Sequence, residues 1–193
     1  RLVGEHPDRF ARVVAANTVV ATTATGNATS EADGILIATG AHPRVVDSAQ
    51  PDGERILTWE QIYNLSELPT HMIVVGSGVT GAEFASAYNG LGAKVTLVSS
   101  RSRVLPGEDP DAANLIEEVF TRRGMTVMDN SRMESVVRDG DEVHVTLTDG
   151  RTISGSHCLL ALGSIPNTAD LGLADVGVTV DAGGFIEVDK VSR

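Results

Sequence analysis

The chain has 193 residues, 41% of them hydrophobic, with 20 glycines, 7 prolines and a formal net charge of −11. This composition fits a globular α/β protein, and the acidic balance argues against a nucleic-acid surface or an anionic membrane partner, since either needs a basic patch. A single cysteine, Cys158, excludes an internal disulfide or redox cysteine pair, and no apolar run is long enough to predict a transmembrane helix.

The first part of the chain shows strand patterns and one loop pattern. The valine pairs before residue 21 predict short antiparallel strands, and residues 22–30 predict a loop centred on Gly26 and Asn27. The apolar run at residues 35–38 predicts a buried strand that ends at Thr39 and Gly40. The absence of an initiator methionine or signal peptide favours a segment of a longer protein.

Residues 44–69 predict a short connecting helix. Thr58 and Gln61 have the spacing of a capping box, with Thr58 as the N-cap, and Pro69 ends the segment. Trp59, the single tryptophan, falls in the first turn of this helix. We predict that it packs against the protein rather than stacking on a cofactor.

A glycine-rich turn follows the apolar strand His71–Val75. The six residues of this G-x-G-x-x-G motif are Gly76, Ser77, Gly78, Val79, Thr80 and Gly81. Between a strand and a helix, Gly76 allows a tight turn, Gly78 lets a pyrophosphate approach, and Gly81 lets the helix pack closely. The helix start then offers free N–H groups and a positive dipole end to phosphates. The motif predicts a dinucleotide site, and the alternative is a glycine-rich surface turn.

The next strand, Lys94–Val98, ends about 20 residues after the first glycine, where the adenosine ribose is expected. Position 99 is a serine, not the acidic residue that binds both ribose hydroxyls and repels a 2′-phosphate. Ser99, Ser100, Arg101 and Arg103 therefore predict acceptance of NADH and NADPH, with a preference for NADPH that weakens as salt rises. The third glycine of the motif favours NAD instead, and a polar loop without function is the alternative.

The rest of the chain completes a parallel sheet and adds a meander. Asp109 and Pro110 are typical of a helix start, and that helix leads to a third strand at residues 125–128. Right-handed crossovers make these strands parallel. A fourth parallel strand is predicted at residues 158–162. Before it lies a three-stranded antiparallel meander, predicted at residues 133–138, 142–148 and 151–153.

The order of these features resembles the pyridine nucleotide-disulfide oxidoreductase family, the two-dinucleotide flavoproteins that include dihydrolipoamide dehydrogenase and glutathione reductase. The resemblance rests on the run that ends at Gly40, the glycine turn, the meander and the segment that ends at Asn167. It is strongest toward actinobacterial lipoamide dehydrogenase-like proteins and flavoprotein NAD(P)H-quinone reductases. The family usually has G-R-x-P-N where this chain has Gly163 and Ser164, so no charge contact is expected from position 164.

The resemblance implies an α/β fold, with a Rossmann-like parallel sheet flanked by helices, the meander and a partial FAD-domain segment. It implies a partial FAD-binding domain and connector over residues 1–68, an NAD(P)-binding domain over residues 69–180, and the start of a return segment over residues 181–193. Four residues acquire implied positions: Thr39 and Gly40 against FAD, Glu83 near the flavin–nicotinamide junction, and Gly163 beside the nicotinamide.

The predicted function is to hold NAD(P)H for hydride transfer to FAD in a cytoplasmic, homodimeric parent oxidoreductase. Its partners are the nicotinamide dinucleotide and the FAD and dimerisation domains of that parent, which reduces a quinone or a disulfide such as lipoamide. No catalytic residue or metal site is predicted, and the chain is expected to be inactive alone. The alternative is a non-enzymatic dinucleotide-sensing module, which needs neither the meander nor the run that ends at Gly40.

Overall fold

The structure, a computed structural model, describes residues 10–192, so the parts of the predicted terminal segments at residues 1–9 and 193 lie outside it. The chain divides into two compact units. One contains the described residues up to His42 and from Ile165 onward, and the other is Pro43–Ser164. The elements, in chain order, are β1 (Phe10–Ala15), β2 (Thr18–Thr23), β3 (Gly26–Glu31), β4 (Ala41–Pro43), β5 (Ile56–Thr58), a 3-10 turn (Gln61–Asn64), β6 (His71–Val75), α1 (Val79–Gly90), β7 (Lys94–Val98), α2 (Pro110–Arg122), β8 (Thr126–Met128), β9 (Met133–Asp139), β10 (Glu142–Leu147), β11 (Thr152–Gly155), β12 (His157–Leu160), β13 (Ser164–Pro166) and a second 3-10 turn (Ala174–Val176).

A five-stranded parallel sheet forms the centre of the Pro43–Ser164 unit. Its strand order is β5-β12-β6-β7-β8, and every neighbouring pair is parallel. Strands that are covered on both faces consist of nearly continuous apolar runs, and Met72, Ile73 and Val74 of β6 are fully buried. The predicted parallel sheet is confirmed.

The pattern does not predict β5, because a three-residue strand carries too little periodicity. The predicted helix with Thr58 as its N-cap is wrong: Thr58 ends β5, and a short 3-10 turn begins at Gln61 with Glu60 as its N-cap.

Helices α1 and α2 cover one face of this sheet. Ala82 and Ala85 of α1 and Phe120 of α2 lie in one buried apolar cluster with strand residues such as Val74 and Leu97. The two alanines are small, so the helix lies close to the strands it connects. Among the described residues, no helix combines the length and the apolar composition needed to cross a membrane.

The meander β9-β10-β11 is antiparallel, as predicted, and packs on the opposite face of the sheet. Val143 and Val145 of β10 share a buried cluster with Ile73 and Val75 of β6. Successive residues of β6 therefore serve the two faces alternately, one toward the helices and the next toward the meander. Cys158 belongs to the meander side and is fully buried, and burial raises the pKa of its thiol, which makes it a poor nucleophile.

Helix α2 begins with the cap that its sequence predicts. The Asp109 carboxylate accepts hydrogen bonds from the backbone N–H groups of Asp111 at 3.0 Å and Ala112 at 3.1 Å. Pro110 follows at the first helical position, where its missing N–H costs nothing. The far end carries Arg122 in the last turn and Gly124 at φ +84°, a favourable cation and a favourable glycine for a helix C-terminus.

We expect Asp109→Ala to lower the free energy of unfolding by about 1 kcal/mol, because two N–H groups of the first turn lose their acceptor. Urea unfolding of the purified chain measures the change. Glu108→Ala is the matched control, since it removes the same charge from a side chain that forms no hydrogen bond among the described residues. That variant should stay within about 0.5 kcal/mol of wild type. Equal stability of the two variants would contradict a stabilising cap.

The other unit contains the antiparallel sheet β1-β2-β3. The short strands predicted from the valine pairs are confirmed, whereas the loop predicted over residues 22–30 is wrong. The chain turns at residues 24–25, and β3 follows directly. All six residues of β3 are exposed, and they are small or polar. Such a strand lacks the apolar alternation from which strands are predicted.

Residues 35–38 do not form the buried strand that their apolar sequence predicts. Leu36 is 88% exposed, and no strand among the described residues pairs with this run. A strand needs a neighbour that satisfies its backbone N–H and carbonyl groups, and apolar composition does not supply one. The prediction of a buried strand at this position is therefore wrong.

Candidate dinucleotide site

The glycine turn lies between β6 and α1, and the chain's own packing requires two of its glycines. The N–H of Gly76 donates to the carbonyl oxygen of Val98 at 2.9 Å, and φ of Gly76 is +112°, which L side chains rarely adopt. A Cβ on Gly76 would lie 2.1 Å from the carbonyl oxygen of Ala161. A Cβ on Gly81 would lie 1.8 Å from the carbonyl oxygen of Gly76. Neither position has room for a side chain.

Gly78 differs from the other two glycines of the turn. Its φ of −69° and ψ of −175° are open to any residue, and a Cβ built there would have no atom within 4 Å. The folded chain therefore has no need of glycine at this position. The empty space in front of the helix is what the close approach of a diphosphate requires.

The N-terminus of α1 has no acceptor of its own. Gly78 is the N-cap and offers no side chain, and the first turn, which begins with Val79 and Thr80, contains no acidic residue. The first N–H groups of a helix lack partners within the helix and carry the positive end of its dipole. Helix α2 covers the same kind of end with Asp109, so α1 is the helix that remains open to an external anion.

Ser99 connects the glycine turn to the loop after β7. Its side chain is fully buried, and its hydroxyl lies 2.7 Å from the hydroxyl of Ser77. The same oxygen accepts a hydrogen bond from the N–H of Arg101 at 3.1 Å. Ser99, which is predicted to lie at the adenosine ribose, is therefore buried, and its hydroxyl is already bonded within the protein. Sequence spacing places Ser99 at the end of β7 but does not show which groups its hydroxyl bonds to.

The loop that follows brings two arginines near the turn. Ser100 and Arg101 are exposed, and Arg103 is half-buried with an Nε atom that has no hydrogen-bond partner among the described residues. Neither guanidinium pairs with a carboxylate of the described part of the chain. The backbone N–H of Leu105 donates to the carbonyl oxygen of Ser77 at 2.8 Å, which fixes the loop against the glycine turn.

A pocket of about 180 Å³ opens beside the start of α1. Gly163, at φ +98°, lies in its wall. Its position beside the nicotinamide stays a prediction. Trp59 also lines this pocket, although sequence reasoning assigns it to packing alone. The full lining is Trp59, Gly78, Val79, Thr80, Gly81, Ala161 and Gly163.

The remaining predicted site residues lie apart from this pocket's lining. Glu83 is exposed on α1, and no cation of the described residues pairs with it. Thr39 and Gly40 belong to the other unit, where Asn167 holds them: its side-chain amide donates to the carbonyl of Thr39, and its backbone N–H donates to that of Gly40, both at 3.0 Å. The Oδ1 atom of Asn167 also lies 2.6 Å from Nδ1 of His42.

A larger cavity, about 530 Å³, lies at the opposite edge of the sheet, where β6 and β12 begin. Its two arginines already have partners: Arg55 pairs with Asp141 at 2.5 Å, and Arg138 pairs with Asp52 at 3.2 Å and with Glu54 at 2.6 Å. These pairs leave no free positive charge for a phosphate. The smaller pocket beside α1 is therefore the candidate dinucleotide site.

Fold and site together define an α/β chain with a Rossmann-like parallel sheet and an antiparallel meander. Residues 6–193 match the sequence profile of the family described as pyridine nucleotide-disulphide oxidoreductase, and the chain belongs to this family. An NAD(P)H dehydrogenase (quinone) from Mycobacterium tuberculosis is 55% identical over 181 residues, which are 93% of this chain and 37% of that protein. A dihydrolipoyl dehydrogenase from Zymomonas mobilis is 33% identical over 84% of this chain and 36% of its own length.

A solved structure supports the same assignment. The crystal structure of LpdA from Mycobacterium tuberculosis superimposes with a TM-score of 0.80 and 53% sequence identity, and covers 96% of this chain and 41% of that one. The chain thus spans well under half the length of the relatives it matches.

Proposed function

We propose that the Pro43–Ser164 unit binds NAD(P)H and positions its nicotinamide for hydride transfer to FAD in a longer flavoprotein oxidoreductase. The observation that carries this proposal is the difference among the three motif glycines. Packing requires Gly76 and Gly81, whereas Gly78 faces empty space before an uncapped helix. That arrangement fits a diphosphate, because it combines room for close approach with unpaired N–H donors.

Each part of the site has a role in the proposed complex. The N–H groups at the start of α1 bind the diphosphate, and the contact between Ser77 and Ser99 holds the turn and the arginine loop at a fixed separation. Gly163 lies in the pocket wall, and the proposal puts the nicotinamide beside it. When bound in the parent, FAD supplies the redox chemistry by accepting hydride from the nicotinamide. The residues of this chain contribute position and electrostatics.

The acceptor that best fits the parent is a quinone. The relative at 55% identity is named for quinone reduction, whereas the dihydrolipoyl dehydrogenase is 33% identical. The one cysteine of the present sequence is buried, so a dithiol for disulfide reduction has to lie outside these residues. The full-length protein should reduce a soluble benzoquinone with NAD(P)H faster than it reduces lipoamide, and the reverse order would overturn this assignment.

Calorimetric titration of the chain with NADH and with NADPH tests the proposed binding. Saturable one-to-one binding of either dinucleotide supports it. Absence of binding at millimolar concentrations, with a chain shown to be folded by circular dichroism, would overturn it.

We expect NADPH to bind several-fold more tightly than NADH at low salt, and the difference to shrink at high salt. Arg101 is exposed and unpaired among the described residues, and a guanidinium can form two charge-assisted hydrogen bonds with a 2′-phosphate. Arg101→Ala should lower NADPH affinity about fivefold and leave NADH affinity unchanged. Fivefold is the affinity that the guanidinium–phosphate contact still contributes after screening by solvent. Titrations at low and high salt measure both effects.

Arg123→Ala is the control for this charge change. Arg123 is exposed at the end of α2, next to the start of β8 and so at the sheet edge opposite the glycine turn. Its removal changes the net charge equally and should alter neither affinity by more than about twofold. A preference for NADH, or equal losses in the two variants, would show that Arg101 does not contact the 2′-phosphate.

A further inference from the structure

Two loops leave the central sheet side by side. The arginine loop, residues 99–103, follows β7, and the β8 loop, residues 129–131, follows β8. Strands β7 and β8 are parallel neighbours, so both loops lie at the sheet edge that carries the glycine turn. The N–H of Ser99 donates to the carbonyl oxygen of Met128 at 2.8 Å, which continues the pairing of the two strands into the loops.

The β8 loop donates two further hydrogen bonds to the arginine loop. The backbone N–H of Asn130 donates to the carbonyl oxygen of Arg101 at 2.8 Å. The backbone N–H of Ser131 donates to the carbonyl oxygen of Ser99 at 2.7 Å. These bonds fix the backbone on both sides of Ser100, and with it the point from which the side chain of Arg101 extends.

Asn130 has the backbone conformation that this double contact requires. Its φ is +47°, in the left-handed region that residues other than glycine rarely adopt, although asparagine tolerates it better than most. Successive N–H groups converge on one partner when the chain passes through a left-handed residue. The side-chain amide of Asn130 donates to the carboxylate of Asp129 at 3.1 Å, so the link from Asn130 to the arginine loop is through the backbone.

The β8 loop is itself anchored to the meander. Ser131 is 2% exposed, and its hydroxyl donates to the carbonyl oxygen of Asp129 at 2.9 Å. The same hydroxyl accepts a hydrogen bond from Nη2 of Arg151 at 2.7 Å. Arg151 directly precedes β11 and forms an ion pair with Asp149 at 2.6 Å. The meander therefore supports the β8 loop, and the β8 loop supports the arginine loop.

The arginine loop is held on its inner side as well. The hydroxyl of Ser99 accepts a hydrogen bond from the N–H of Arg101 and lies 2.7 Å from the hydroxyl of Ser77. The backbone of this loop is thus ordered without a ligand, while the side chain of Arg101 is exposed. A side chain on an ordered backbone loses less conformational entropy on binding than one on a loop that has to be ordered at the same time.

We infer that Asn130 is a specificity-determining positioning residue of the dinucleotide site. It holds the backbone of Arg101 where the guanidinium reaches the 2′-phosphate of NADPH, and it acts through Arg101 and not on the ligand. This inference rests on the proposed function and on the contact expected of Arg101. It adds a third segment to the glycine turn and the arginine loop, which are the two segments that the sequence motif indicates.

The test compares Asn130→Val with Asn130→Gly. Valine strongly disfavours φ near +47°, whereas glycine adopts it freely. Asn130→Val should lower the ratio of NADPH to NADH affinity about threefold at low salt, because the arginine loop then has to be ordered on binding. Asn130→Gly should keep the wild-type ratio. Calorimetric titration measures both, and a wild-type ratio in Asn130→Val or an equal fall in the two variants would overturn the inference.

A double variant shows whether Asn130 acts through Arg101. If it does, Asn130→Val should not change the affinity ratio further in a chain that already carries Arg101→Ala, because the contact that Asn130 supports is gone. A second threefold fall in the double variant would mean that Asn130 acts independently of Arg101, which would overturn the positioning role.

Asp170 provides the matched control position. It is an exposed residue of the other unit with φ +60°, so valine disfavours this conformation and glycine adopts it, as at Asn130. Asp170→Val and Asp170→Gly remove the same charge, and both should keep the wild-type affinity ratio. Circular dichroism checks that the variants are folded. A threefold fall in Asp170→Val would mean that backbone strain anywhere in the chain changes the ratio, and the inference would be wrong.

Hydrogen exchange on the unaltered chain gives a readout that does not depend on the folding of any variant. The amide protons of Asn130 and Ser131 should be protected in the free chain, because both are hydrogen-bonded. Exchange of both at the rate of an unstructured peptide would overturn the inference. Equal affinity of wild type for NADPH and NADH would overturn it too and leave dinucleotide binding intact, whereas failure to bind either would overturn the proposed function as well.

Discussion

Replacing Gly78 by valine is expected to abolish dinucleotide binding while the chain remains folded. The valine side chain meets no protein atom within 4 Å and occupies a backbone conformation that it adopts readily. It fills instead the space before α1 that the diphosphate needs. Loss of two charge-assisted hydrogen bonds corresponds to at least about a hundredfold loss of affinity. Calorimetric titration with NADH measures this loss, and thermal unfolding should show a stability change of about 1 kcal/mol or less.

Two further variants make this prediction sharper. Gly78→Ala places a single methyl group in the same space and should give an intermediate loss. Gly34→Val introduces the same side chain at another glycine that has no atom near its Cβ position, in the other unit, and should leave NADH affinity unchanged. Wild-type affinity in Gly78→Val would show that the ligand binds elsewhere on the chain.

The opposite outcome is expected for Gly76→Ala. Here the methyl group would lie 2.1 Å from the carbonyl oxygen of Ala161, and the residue would have to hold φ near +112°. Backbone strain and overpacking each cost on the order of 1–3 kcal/mol, and both apply at this position. We expect the free energy of unfolding to fall by about 4 kcal/mol, a large part of the stability of an ordinary domain. Urea unfolding monitored by circular dichroism measures the change.

Gly90→Ala is the control for the effect of an added methyl group in the same β6-α1-β7 segment. Gly90 is the last residue of α1, and a Cβ there would have no atom within 4 Å. Alanine should be neutral or stabilise by up to about 1 kcal/mol, because it restricts the unfolded chain and favours helix. Comparable stability of Gly76→Ala and Gly90→Ala would contradict the packing described for the turn.

Sequence patterns predict the parallel sheet well because burial on both faces demands continuous apolar runs. His71–Val75 and Lys94–Val98 are such runs. The cap at Asp109 marks the start of α2, the helix that follows the second run, as clearly. The same reasoning fails at residues 35–38. Apolar composition indicates that a segment favours burial, but it does not show that a neighbouring strand is present to pair with it. The reasoning fails in the opposite sense at β3, where pairing to β2 makes a strand of exposed polar residues.

For the candidate site, too, the sequence predicts some features, and only the fold shows the others. The spacing of the motif is sufficient to assign separate roles to Gly76, Gly78 and Gly81, because those roles follow from the strand-turn-helix context. The burial of Ser99 and the place of Trp59 in the pocket wall depend on packing between segments distant in sequence. Spacing places Ser99 at the end of a strand, but only the fold shows that its hydroxyl is already hydrogen-bonded to the hydroxyl of Ser77.

Because packing requires only two of the three glycines, the three positions should differ in how readily they are substituted during evolution. Mutation at Gly76 or Gly81 is removed by selection for a stable chain, whatever the protein does. Mutation at Gly78 is opposed only while a ligand has to enter. In a duplicated gene whose product has lost its cofactor, the outer glycines should therefore persist and the middle one should drift. A descendant with G-x-A-x-x-G or G-x-S-x-x-G at this turn would keep the fold, and the substitution of its middle glycine would indicate that its ancestor bound a ligand there.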